Sequence, residues 1–334
     1  MIRTLTTVTT TSLCATTIAL ALVLLGGCSG GAHTVATPTA MPAEAVPTAD
    51  ALAVIDPGSS GLFGVGQVTI QTRSSGVRLA VSYPAASTST GSSAPAPAPL
   101  ADGARFPVVW TQPDGASSGD HFSYLSDHLA SWGYVVVSSL HADGIAATND
   151  AGLGNMFDEL LASRDPTVVA IATHLDTTRV AVVAASSAAG SAFGQDLLPA
   201  VRAVVVFDAV PQAITGAARI RTPAMIMFAG AGEHRADPLA MRRVFDDAAP
   251  DVRPYLVYFP DAVSASFVDE CTMKCPPIFT QQRAHELITR YVTSFLQTFV
   301  LDDARYAIAL ASPSQDEGEE VDDAPDAIIT RIGS

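Results

Sequence analysis

The chain has 334 residues, with 18 Lys and Arg against 33 Asp and Glu and a formal net charge of −15 at pH 7. Lys274 is its only lysine, so it carries no basic cluster of the kind that nucleic acid selects. Much of the acidity lies at the end: Asp316, Glu317, Glu319, Glu320, Asp322, Asp323 and Asp326 stand with no basic residue among them, and residues 306–334 are expected to be a solvated, disordered tail.

At the other end, Arg3 supplies a positive start, Ser12 to Leu25 an apolar run, and Leu25-Gly-Gly-Cys28 a small-residue cleavage site. The pattern resembles the lipobox of bacterial lipoproteins. It implies a signal over residues 1–28, with Cys28 left as a lipidated N-terminus; an ordinary secretory signal is the alternative. Several acyl chains together hold a protein stably on a membrane. The expected location is therefore the bacterial cell envelope, with the membrane as a partner through Cys28. Ser29 is not the aspartate associated with inner-membrane retention, which points to the outer membrane or cell surface. Residues 29–60, rich in Ala, Thr, Pro and Gly without an apolar period, predict a flexible tether.

Residues 61–305 suit one α/β domain. Gln67–Gln71 and Val77–Tyr83 read as strands, and the Ser, Ala and Pro-rich stretch 85–104 as a surface loop. Strand and helix then alternate: strands at 108–111 and 134–138 around a helix over 121–132, helix within 156–175, a strand at 180–184 and a helix through Phe193. Strands at 203–207, 224–228 and 255–259 follow, and a last helix over 277–299. Alternating β and α with fully apolar strands predicts a mostly parallel sheet with helices on both faces. Ligands of such sheets bind beyond the carboxyl ends of the strands, so the chemistry should follow each strand.

One strand end stands out. The apolar run Val180–Ala184 stops at Ala185-Ser186-Ser187, and small residues open the next helix. A serine on a sharp strand-to-helix turn is a nucleophile elbow. Its usual G-x-S-x-G form appears here as Ala184-x-Ser186-x-Ala188, with alanine at both glycine positions. With Phe122–Val137, Arg164-Asp-Pro-Thr-Val-Val169, the lead-in Leu175–Val180 and Ser266-Phe-Val-Asp-Glu-Cys271, the chain resembles, from about Leu62 to Phe299, one group of α/β-hydrolases. That group includes platelet-activating-factor acetylhydrolase, chlorophyllase and bacterial cutinase-like esterases.

The resemblance implies an α/β-hydrolase fold and a serine carboxylic-ester hydrolase of lipid or short-chain acyl esters. Ser186 takes the nucleophile position, and the Ser187 amide is one oxyanion donor. The second donor would come from the loop after Thr111, where Pro113 has no N–H and the Gln112 side chain could substitute. Two carboxylates compete as the orienting acid, Asp208 after one strand and Glu233 after the next. The base position, in Asp261-Ala-Val-Ser264-Ala-Ser-Phe267, holds Ser264, which cannot take a proton near neutral pH. His121, His141 and His234 lie at the same edge as base candidates, His234 nearest the expected position. His33 falls in the tether, and His128, His174 and His285 in helix patterns, as surface or packing residues. An incomplete triad leaves two functions open: ester hydrolysis with a displaced base, or non-catalytic binding of a hydrophobic or acyl ligand. No metal or cofactor is expected. Cys271 and Cys275, four apart in an exported chain, are expected to form a disulfide.

Overall fold

The apolar runs do form the strands of one sheet. The computed structural model describes residues 54–72, 78–86, 98–102, 105–112, 122–140, 153–185, 188–195, 199–208, 221–231, 238–244, 254–269, 281–310 and 328–331. The first half of the domain contains β1 (Gly64–Gln71), β2 (Arg78–Ala85), β3 (Phe106–Gln112), α1 (Ser123–Ser131), β4 (Val135–Leu140), α2 (Leu153–Leu161) and α3 (Pro166–Thr173). The second half contains β5 (Leu175–Ala185), α4 (Ala189–Gln195), β6 (Val201–Phe207), β7 (Ala224–Ala229), α5 (Pro238–Val244), β8 (Tyr255–Phe259), α6 (Gln281–Phe299) and β9 (Ile328–Arg331). The described residues also include 3-10 turns at Ser264–Phe267 and Ala304–Leu310.

The strands lie side by side in the order β1-β2-β4-β3-β5-β6-β7-β8-β9. From β4 through β8 every neighbouring pair is parallel. The antiparallel pairs are β1 with β2, β2 with β4, and β8 with β9. This is the expected fold class, a mostly parallel α/β sheet, and its order is compatible with the α/β-hydrolase arrangement.

The continuous apolar runs follow from burial on both faces. Along β5, Val180, Val182 and Ala184 join a layer with Leu160, Ile171, Phe193 and Met241 of α2 to α5. Ala181, Val183 and Ala185 point the other way, into a layer with Leu125 and Leu129 of α1 and Leu287 and Phe295 of α6. A strand alternates its side chains between faces, so only a run apolar at every position serves two covered faces.

Several elements differ from expectation. The helical stretch 156–175 is two helices, divided where Asp165 accepts the Thr167 and Val168 amides at 2.8 and 3.2 Å and Pro166 occupies the first turn of α3. β5 begins at Leu175, five residues early; Leu175 and Asp176 pair with β3 before its register shifts. Residues expected at the end of the tether are held by the domain: Trp132 Nε1 donates to the Ser59 carbonyl at 2.9 Å and His128 Nε2 lies 3.0 Å from the Pro57 carbonyl. Their Pro-Gly-Ser composition hides this, because backbone groups make these bonds. Within the expected tail, β9 pairs along β8 from Tyr255 opposite Arg331 to Tyr258 opposite Ile328. Among the described residues no helix is long and apolar enough to cross a membrane.

Candidate functional site at the carboxyl edge

The carboxyl ends of β3, β5, β6, β7 and β8 are neighbours along one edge of the sheet. β5 ends at Ala185 and α4 starts at Ala189, and the serines read from sequence as an elbow fall between them. Ser186 and Ser187, within it, lie outside the described residues. So do Glu233, His234, His121, His141, Pro113, Cys28, Cys271 and Cys275.

Gln112 closes β3 beside that turn. Thr111 Oγ1 donates to Ser138 Oγ of β4 at 2.6 Å, a buried bond that fixes the strand end. The Gln112 side chain reaches the first turn of the elbow helix, where Ser191 Oγ donates to Gln112 Oε1 at 3.2 Å and to the Ala188 carbonyl at 2.8 Å. One hydroxyl proton serves both acceptors. Gln112 is thereby tied to α4.

Asp208 stands immediately after β6, half-buried, with φ 49°. Left-handed backbone is uncommon outside glycine, and aspartate is among the residues that tolerate it. Its amide donates to the Met227 carbonyl at 2.8 Å, one ladder bond beyond the strand end. Asp302 adopts the same left-handed backbone, at φ 59°.

The turn after β7 is stitched to the turn after β8, with the Gly230 amide donating to the Phe259 carbonyl at 2.8 Å and the Ala231 amide to the Ala262 carbonyl at 3.0 Å. Gly230 is required there, since a Cβ would collide with the Tyr258 hydroxyl and the Pro260 carbonyl. Ser264 opens the 3-10 turn beyond, half-buried.

From Ser264 the chain folds back across the sheet edge. Phe267 packs edge-on against Phe259 at 5.6 Å and stacks on Phe207 at 5.8 Å, the residue before Asp208. Two residues later the Asp269 carboxylate accepts the first amides of α1: Ser123 N–H to Oδ2 and Tyr124 N–H to Oδ1, each at 3.1 Å. β8 and β3 stand four strand spacings apart, about 19 Å at ~4.8 Å each. The loop carrying Ser264 thus crosses from β8, over the end of β6, to the helix that follows β3.

Helix side chains fasten this loop. The Tyr124 hydroxyl donates to the Phe267 carbonyl at 3.1 Å, and Gln281 Nε2 reaches the carbonyls of Val268 and Asp269 at 2.8 and 2.6 Å. His285 stacks flat on Tyr124, ring centroids 3.6 Å apart, and its Nε2 lies 2.9 Å from the Val268 carbonyl. A carbonyl only accepts, so Nε2 carries the proton. Burial lowers the His285 pKa from its usual 6.5, against the opposing pull of the Val268 carbonyl and Asp269. Burial likewise raises Tyr124 well above the usual phenol range, with Asp269 adding to it. Tyr124, His128, Asp269, Gln281, His285 and Thr289 help line a surface depression of about 470 Å³, which Gln112, Asp208 and Ser264 do not line.

The other described histidines are also engaged away from the strand ends. His128 meets the Pro57 carbonyl, and His174 Nδ1 lies 2.9 Å from Ala170 O at the end of α3. His285, read from sequence as surface or packing, holds the loop that carries Ser264. Neither it nor Tyr124 and Asp269 had a sequence signal for that task, since the three meet only through the loop's return. Among the described residues no group of three His, Cys, Asp or Glu could hold a metal ion.

No protein-family model matches the chain, and no curated protein matches it.

Proposed function

We propose that this chain is an exported, lipid-anchored protein on an α/β-hydrolase scaffold, built for carboxylic-ester chemistry and lacking a base at its usual position. The observation that carries the reading is the ordered edge: β5, β6 and β8 end on one side of one parallel array, with left-handed Asp208 directly after β6 and the returning Ser264 loop after β8. In this reading Ser186 Oγ attacks the carbonyl carbon of an acyl ester, and Asp208, or Glu233, is the orienting acid. The Ser187 amide and the Gln112 side chain face the oxyanion. Attack requires the Ser186 proton to leave, and the departing alkoxide requires one in return. Ser264 can supply neither transfer at neutral pH. Loss of the base lowers turnover by roughly 10⁴–10⁶-fold. The anchored position, with Cys28 lipidated and Cys271 bridged to Cys275, favours lipid or short-chain acyl esters.

A second reading is binding of an acyl or hydrophobic ligand without turnover, supported by serine rather than histidine at position 264. Hydrolysis of p-nitrophenyl butyrate tests the first. Turnover well below ~1 s⁻¹ is expected. A rate within the ordinary ~1–10³ s⁻¹, abolished by Ser186→Ala, would show that another histidine serves as base and would overturn the role given to Ser264.

A further inference from the structure

We infer that Asp269 is a positioning residue that locks the Ser264 loop to the start of α1, so that the two margins of the carboxyl edge move as one unit. The inference rests on reading that edge as the site. A helix leaves its first amides without partners inside the helix, and these are usually met by a side chain at the preceding residue. In α1 that residue is Phe122, which offers no acceptor. The acceptor comes instead from Asp269, 146 positions after Ser123, and it takes two amides with its two oxygens. A carboxylate at a helix N-terminus also meets the favourable end of the helix dipole.

Capping alone would not require the remaining bonds. Tyr124 of α1 and Gln281 and His285 of α6 all converge on the carbonyls of residues 267–269. Val268 O accepts from both Gln281 and His285, using both lone pairs. The far end of the loop is therefore placed by α1 and α6, while the bonds of Gly230 and Ala231 to the Phe259 and Ala262 carbonyls set its near end. Ser264 lies between these two fixed points. Its distance from the ends of β5 and β6 is set by the clamp.

Hydrogen exchange followed by mass spectrometry on the full chain tests this. Asp269→Ala should raise exchange at least tenfold in peptides covering both 122–126 and 263–268, with β5 to β7 unchanged. Asp269→Asn keeps one acceptor oxygen and turns an N–H₂ towards the second amide, so it should raise exchange less, again in both segments. A rise confined to 122–126, or none, would overturn the clamp and leave Asp269 a helix cap only. If Asp269→Ala loosens β5 to β7 as well, the Asn variant decides by the same criterion. Fluorophosphonate labelling of Ser186 in a Ser264→His background, which supplies the base the proposed function lacks, separates this from the site reading. Paired exchange without labelling in any variant overturns the site and keeps the clamp; labelling with exchange confined to 122–126 does the reverse.

Discussion

Acid should weaken this domain through His128. The ring sits half-buried where residues 56–61 cross α1, with Nε2 against the Pro57 carbonyl. Burial pushes its pKa down from 6.5 to about 4, although the Pro57 carbonyl and Asp56 favour the charged form. The folded state therefore binds a proton less readily than the unfolded chain. Its contribution is intact above pH 6.5 and is lost as pH falls towards 4. The gap between 6.5 and about 4, at ~1.4 kcal/mol per factor of ten, gives about 3 kcal/mol for a sealed site. Partial solvent access reduces the expectation to about 2 kcal/mol. Urea unfolding of wild type and His128→Gln at pH 8, 6.5, 5 and 4 isolates the term. The glutamine amide can still donate to Pro57, and every other titrating group, His285 included, is common to both proteins. Wild type should lose about 2 kcal/mol more than the variant between pH 8 and 4. Parallel curves, within about 0.5 kcal/mol, would refute the argument.

Gly230→Ala should lower stability by about 1–3 kcal/mol, because its methyl meets a backbone carbonyl that cannot rotate away; Tyr258→Phe in the same chain should not restore it, as a melting comparison would show. Ending the chain at Leu310 removes β9 and bares the edge of β8. Hydrogen exchange in 255–259 should rise and size-exclusion chromatography should show self-association, as unpaired edges invite; unchanged exchange would mean that β9 does not protect β8 in solution.

The legible parts of this fold are those where burial imposes a pattern. β3 to β8 show in sequence because both faces are covered, and their ends foretell where Asp208 and Ser264 follow. The start of β5 was hidden because Asp176, Thr177, Thr178 and Arg179 are polar; Asp176 accepts both from the Thr178 amide and from its hydroxyl instead of filling a core. β9 was masked by the acidic stretch before it, since four residues carry no readable period. The loop's return across the sheet was also beyond the sequence. It depends on Phe207, Phe259 and Phe267 meeting from separate segments and on a cap supplied by Asp269 from far along the chain. No local rule connects those positions.

In the proposed function Ser264 stands where an ester hydrolase would carry its base. The most direct measurement is hydrolysis of p-nitrophenyl butyrate by Ser264→His beside Ser264→His with Ser186→Ala. A gain of at least 10²-fold over wild type, the lower range for a positioned general base, with the gain abolished when Ser186 is removed, is the predicted result. A folded Ser264→His protein with no gain, or with a gain that survives the loss of Ser186, would contradict the account.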